Sequence, residues 1–88
     1  MILTLRIHRA GPGHYCAAVL QGPEELGTLH APTLGAAIQQ CAQDWMPGLS
    51  GMHVWYEHVC AGTLPLSSMR TDPHAIAQQL MVLHGSLH

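Results

Sequence analysis

The apolar period of the chain changes twice, and those changes limit the folds open to it. Over residues 2–9, ILTLRIHR, Leu3, Leu5 and Ile7 alternate with Thr4, Arg6 and His8, the pattern of a strand buried on one face. AGPG (10–13) reads as a turn, because glycine reaches unusual φ values and proline fixes one. HYCAAVLQ (14–21) is the returning strand of a hairpin, GPEE (22–25) a second turn, and LGTLHA (26–31) a short third strand. From residue 33 the period becomes helical. Leu34, Ile38, Cys41 and Trp45 recur on one stripe, with Thr33 as N-cap and Pro47-Gly48 as the stop. At 51–59 strand character returns with Val54, Trp55, Tyr56 and Val59, and AGTLPLSS (61–68) reads as a connector. TDPHAIAQQLMVLHG predicts a last helix capped by Asp72, begun at Pro73 and stopped at Gly85, with Ile76, Leu80, Leu83 and Leu87 as its apolar stripe.

The order β-β-β-α-β-α within 88 residues predicts one domain over residues 1–88. Its expected class is α+β: a two-layer sandwich of an antiparallel four-stranded sheet with helices mainly on one face. Hydrophobic residues make up 48% and charged residues 9%, with no phenylalanine, so Leu, Ala, Val, Met and two Trp must build the core. Formal net charge is −2, and Arg6, Arg9 and Arg70 are the permanent side-chain cations. That is too little positive charge for strong non-specific nucleic-acid binding by the monomer, and it suits a small basic protein partner better. Cys16, Cys41 and Cys60 form no CxxC, and the first residues do not read as a signal peptide. No apolar run approaches the roughly 20 residues that span a bilayer. A cytoplasmic protein with reduced thiols, no cofactor and no membrane association is the expectation.

GHYCAAV, then a turn and a short strand, then TLGAAIQQCAQDW, resembles a HicB-type antitoxin domain over about residues 1–59. The family has a similar hairpin whose second strand begins near Gly-Tyr, a loop, a helix opened by Thr-Leu and a following strand. Where members carry a Pro-Asp-Leu-Pro-Gly-like loop, this chain has LQGPEELGTLHAP. The resemblance implies a partial ribonuclease-H-like β-β-β-α-β unit without nuclease residues. It also implies a role in neutralising a small, basic, RNA-cleaving toxin. Acidic and aromatic side chains would make that contact, and Glu24, Glu25, His53, Trp55 and Glu57 are the candidates. The alternative for Trp55 is a place in the core under a helix.

Eight histidines raise the question of a metal. Zinc needs about four ligands, usually in recognisable Cys/His pairs, and no such spacing occurs. In MHVWYEHVC (52–60), strand alternation puts His53 and Glu57 on one face and His58 on the other. The expectation is no metal; if one binds, His58 and Cys60 at the strand end are the pair. A histidine-based metal- or pH-responsive regulator is thus an alternative function. No catalytic group is expected. His14 and Cys16 share a strand face, but two residues along a strand is about 6.5–7 Å, beyond the reach of a positioned nucleophile and base. Among the acids Glu24, Glu25, Asp44, Glu57 and Asp72, the first two are adjacent in a turn and the last reads as a cap.

The strand at 14–21 is apolar on both sides, as is that at 51–59. A sheet covered by helices on one face normally has a polar second face. The second face is therefore expected to be covered, by a copy of the chain in a two-fold homodimer or by the C-terminal helix. A stand-alone homodimeric plasmid or phage accessory protein is the corresponding alternative function.

Overall fold

The computed structural model describes residues 2–43 and 45–86. Asp44, and Leu87 of the expected last stripe, lie outside them. Five strands and three helices follow in the order β1 (Ile2–Gly11), β2 (His14–Gln21), β3 (Glu24–Ala31), α1 (Leu34–Cys41), β4 (Gly51–Tyr56), β5 (Val59–Pro65), α2 (Leu66–Thr71) and α3 (Pro73–Ser86). The class is α+β, but the sheet is five-stranded and mixed rather than four-stranded and antiparallel. Its order is β3-β2-β1-β4-β5. The hairpins β1–β2, β2–β3 and β4–β5 are antiparallel, whereas β4 lies parallel to β1. A parallel neighbour needs a long crossover, and the segment carrying α1 supplies it, from edge strand β3 past β2 and β1.

The period-two pattern of β1 sets the two faces. Leu3, Leu5 and Ile7 are buried with Tyr15, Ala17 and Val19 of β2 and Met52, Val54 and Tyr56 of β4. Against them pack Leu34, Ala37, Ile38 and Cys41 of α1, Met69 of α2, and Ile76, Ala77 and Leu80 of α3. All three helices thus cover the same face. The last helix does not reach the other one: its His84 ring lies 5.3 Å from Tyr56, a residue of the covered face. Leu83, expected on the buried stripe, is 37% exposed beside Met81 and Val82.

Helix α1 starts as its sequence predicts, with the Thr33 hydroxyl accepting from the Ala36 N–H at 3.1 Å. It ends at Cys41, four residues before Trp45. The backbone leaves helical geometry at Ala42, and the Trp45 indole N–H turns back to donate to the Cys41 carbonyl at 2.8 Å. The Arg70 side chain donates to the Ala42 carbonyl at 2.7 Å. Two of the carbonyls that a helix end leaves unpaired are therefore met by side chains, and the helical spacing of Trp45 reflects a cap rather than another turn. Its ring lies over β3, where a Cβ on Gly27 would come within 2.7 Å of it.

Strand β5 occupies the stretch that reads as a connector. Two-residue alternation fails there because a register shift lies between Val54 and Trp55, so that Val54 faces Gly62 and Trp55 faces Cys60. Gly62 has φ 90°, a conformation that favours glycine. Asp72 both ends α2, its N–H donating to the Ser68 carbonyl, and opens α3, its carbonyl accepting from the Ile76 N–H at 3.2 Å. Gly85 lies within α3 rather than stopping it.

Ile38 is fully buried between α1 and the sheet. Ile38→Ala should lower unfolding free energy by about 2–5 kcal/mol, whereas Gln39→Ala on the exposed side should change it little. Urea unfolding of both variants checks this, and equal effects would contradict the packing described.

Candidate functional site

With the helices on one face, the other face of the sheet carries the remaining side chains of every strand. The register sorts them into rows. One row runs His30, Cys16, His8 across β3, β2 and β1. The next runs Thr28, Ala18, Arg6, Trp55, Cys60, and the third Glu25, Leu20, Thr4, His53, Thr63. Ile2 adds a further apolar group at 42% exposure, and Trp55 is 37% exposed. Trp55 therefore lies on the bare face and not beneath a helix; Thr4, Arg6 and Trp55 line a depression there.

Three of the five expected contact residues share this face, and two do not. His53 sits beside Trp55 on β4 and is within 2.6 Å of the Thr63 hydroxyl through Nδ1. Glu25 reaches the face because of the register shift between Val19 and Leu20, and its carboxylate accepts from the Thr28 hydroxyl at 2.9 Å. In the same row, Glu25 and His53 are three strand spacings apart, about 14 Å. Glu24 is exposed where the β2–β3 turn enters β3. Glu57 lies at the other end of the sheet, in the β4–β5 turn with φ 55°. Its N–H donates to the Ile7 carbonyl, and its carboxylate accepts from the Arg9 N–H at 2.8 Å. Glu57 thus extends the β1–β4 ladder by one side-chain bond after β4 has turned away.

A group not foreseen as a set lies at one corner of the face. His14 Nε2 is 2.9 Å from His30 Nδ1, and Cys16 Sγ is 3.2 Å from the same nitrogen. The three ligand atoms all fall within 4.8 Å of one another. His14 and Cys16 are two residues apart on β2, as expected, but His30 stands directly opposite Cys16 on β3 and closes the gap. The signal that finds it is the β2–β3 register, set by the short Gly22-Pro23 turn. His58 and Cys60 belong to no such group of three among the described residues. His58 is exposed in the β4–β5 turn, and Cys60 Sγ instead accepts from the Gly62 N–H at 3.2 Å.

Comparison of the chain with family models, with curated proteins and with solved structures finds no match. Among the described residues, no helix is long and apolar enough to cross a membrane.

The three thiols differ in surroundings. Cys16 and Cys60 are half-buried, whereas Cys41 is fully buried between α1 and the core. Burial pushes the Cys41 thiol from 9.0 up to about 12, because the thiolate has no partner to offset its desolvation. Burial, and then the neighbouring Tyr15 and Glu57, also raise the Tyr56 phenol. A raised folded-state pKa means that the folded protein holds the proton more tightly. The Cys41 contribution is complete below 9.0 and is lost as pH rises toward about 12. Cys41→Ala should therefore flatten the alkaline fall of stability by up to about 1.4 kcal/mol per pH unit, with the Tyr56 contribution common to both proteins. Urea unfolding between about pH 8 and about pH 10.5 tests it; parallel curves would contradict the assignment.

Proposed function

We propose that the chain is a non-enzymatic protein-interaction module that docks a partner on the bare face of its sheet. One observation supports this above others: Ile2 of β1 and Trp55 of β4 stand exposed on that face, with Ala18 and Leu20 half-buried on β2 across the Thr4 and Arg6 positions of β1, while all three helices lie on the opposite side. Apolar groups gathered on one otherwise polar surface are the usual mark of a docking site, and Trp is among the residues that anchor interfaces.

The HicB-like resemblance gives this module its first partner class, a small basic RNA-cleaving toxin. Glu25, His53 and Trp55 would meet it on the face, with Glu24 at the adjoining turn. A second reading, a homodimer, is favoured by the charge of the same surface. Histidines apart, Arg6 and Glu25 are its charged residues in the rows set out above. A nearly neutral face complements itself better than it complements a basic protein, and a two-fold axis brings the same patch from both copies together.

Light scattering at micromolar concentration should give about twice the 9.5 kDa chain mass. Trp55→Arg should return the protein to monomer without loss of helical circular dichroism, because its side chain is outside the core. A wild-type monomer would refute the dimer. Titration of that monomer with a purified small basic toxin encoded beside it then tests the antitoxin role, and absence of binding would refute that role.

A further inference from the structure

We propose that His14, Cys16 and His30 form a binding site for a zinc-class divalent ion, independent of whether the face also docks a protein. The three ligating atoms converge from adjacent strands. His14 and Cys16 project from the same side of β2, and His30 projects from β3 directly opposite Cys16. The contacts run through His14 Nε2, Cys16 Sγ and His30 Nδ1.

Hydrogen bonding alone does not satisfy this arrangement. His30 Nδ1 meets both neighbours, at 2.9 Å and 3.2 Å. A ring nitrogen has either one N–H or one lone pair. If it carries a proton, it donates to one neighbour; if it does not, it accepts from one. Either way one of the two neighbours is brought close without a full hydrogen bond of its own to that nitrogen. A cation there receives a lone pair from all three atoms at once. In a tetrahedral zinc site, Zn–N of about 2.0–2.1 Å and Zn–S of about 2.3 Å put ligand atoms about 3.3 Å (N to N) and about 3.6 Å (N to S) apart. The two contacts of His30 need to open by only about 0.4 Å to admit the ion, and His14 Nε2 and Cys16 Sγ, within 4.8 Å of each other, settle at about 3.6 Å; side chains at the surface allow this, since His14 and His30 are exposed and Cys16 is half-buried.

The donor set selects the ion. Two imidazoles and a thiolate suit zinc and its borderline neighbours rather than calcium or magnesium, which take oxygen ligands. On binding, the Cys16 thiol gives its proton to solvent and coordinates as thiolate. With three ligands from the protein, a fourth tetrahedral position would be left for water. The sheet itself does not depend on the ion, because its core lies on the other face. Metal removal should therefore leave the fold intact, and zinc should raise the melting temperature by preferential binding to the folded chain.

Titration of chelator-treated protein with cobalt(II) provides the test. We expect saturation at one equivalent, a thiolate-to-cobalt charge-transfer band in the near ultraviolet, the intense visible bands of four-coordinate cobalt, and displacement of both by zinc. Cys16→Ser should abolish the charge-transfer band, and His30→Ala should weaken binding by at least about tenfold, the lower bound seen even for outer-shell changes. Cys60→Ser should leave the spectrum unchanged. Zinc should also slow alkylation of Cys16, read by mass spectrometry, but not of Cys60. A charge-transfer band that survives Cys16→Ser, cobalt binding without saturation at one equivalent, or alkylation of Cys16 indifferent to zinc would each overturn the assignment.

Discussion

The structure depends on the pairing of β1 on both of its edges. β1 takes β2 antiparallel on one side and β4 parallel on the other. The first pairing is local, closed by a turn. The second joins residues nearly fifty apart in the chain, from Ile2 with Gly51 to Ile7 with Tyr56. Loop closure over that span is entropically unfavourable, and the burial of Leu3, Leu5, Ile7, Met52 and Val54 under α1 and α3 offsets it. The parallel pairing also fixes where the helices go. The segment carrying α1 must cross the sheet to deliver β4, and α2 and α3 then pack beside α1 on the covered side.

The bare second face follows from that one-sided cover. Apart from Arg6 and Glu25, its rows carry histidine, cysteine, threonine and apolar groups rather than the charged residues that usually solvate an open sheet face. The chain has only eight charged side chains, and two of them have other places: Glu57 completes the β1–β4 ladder, and Arg70 caps α1. What is left on the face is a neutral, partly apolar surface with a soft-ligand cluster at one corner. Both functional proposals arise from that single distribution, one from its exposed apolar groups and one from the corner where β2 and β3 bring two imidazoles and a thiol together.

The parts of this arrangement written in local periodicity were legible in the sequence. The alternation of 2–9 gave β1 and its buried side, HYCAAVLQ gave β2 to the residue, and Thr33 capped α1 as its chemistry predicts. The parts set by distant partners were not. Parallel pairing of β4 leaves no mark in either strand, although a helix between two strands is itself the signal of a crossover. β5 was hidden by a register shift and a glycine in an unusual conformation. His30 drew no notice because its meaning lies wholly in standing opposite Cys16. Trp45 kept helical spacing while serving as a cap, so periodicity carried α1 past its end at Cys41.

Which surface meets a partner is the central claim, and chemical-shift mapping over a concentration series tests it residue by residue. Backbone and indole signals of Ile2, Arg6, Ala18, Leu20 and Trp55 should move together as the protein self-associates, with Gln39 and Gln78 on the helical side unchanged. Shifts that gather instead on Met81, Val82 and Leu83, the exposed apolar group of α3, would place the interface on the helices and contradict the account.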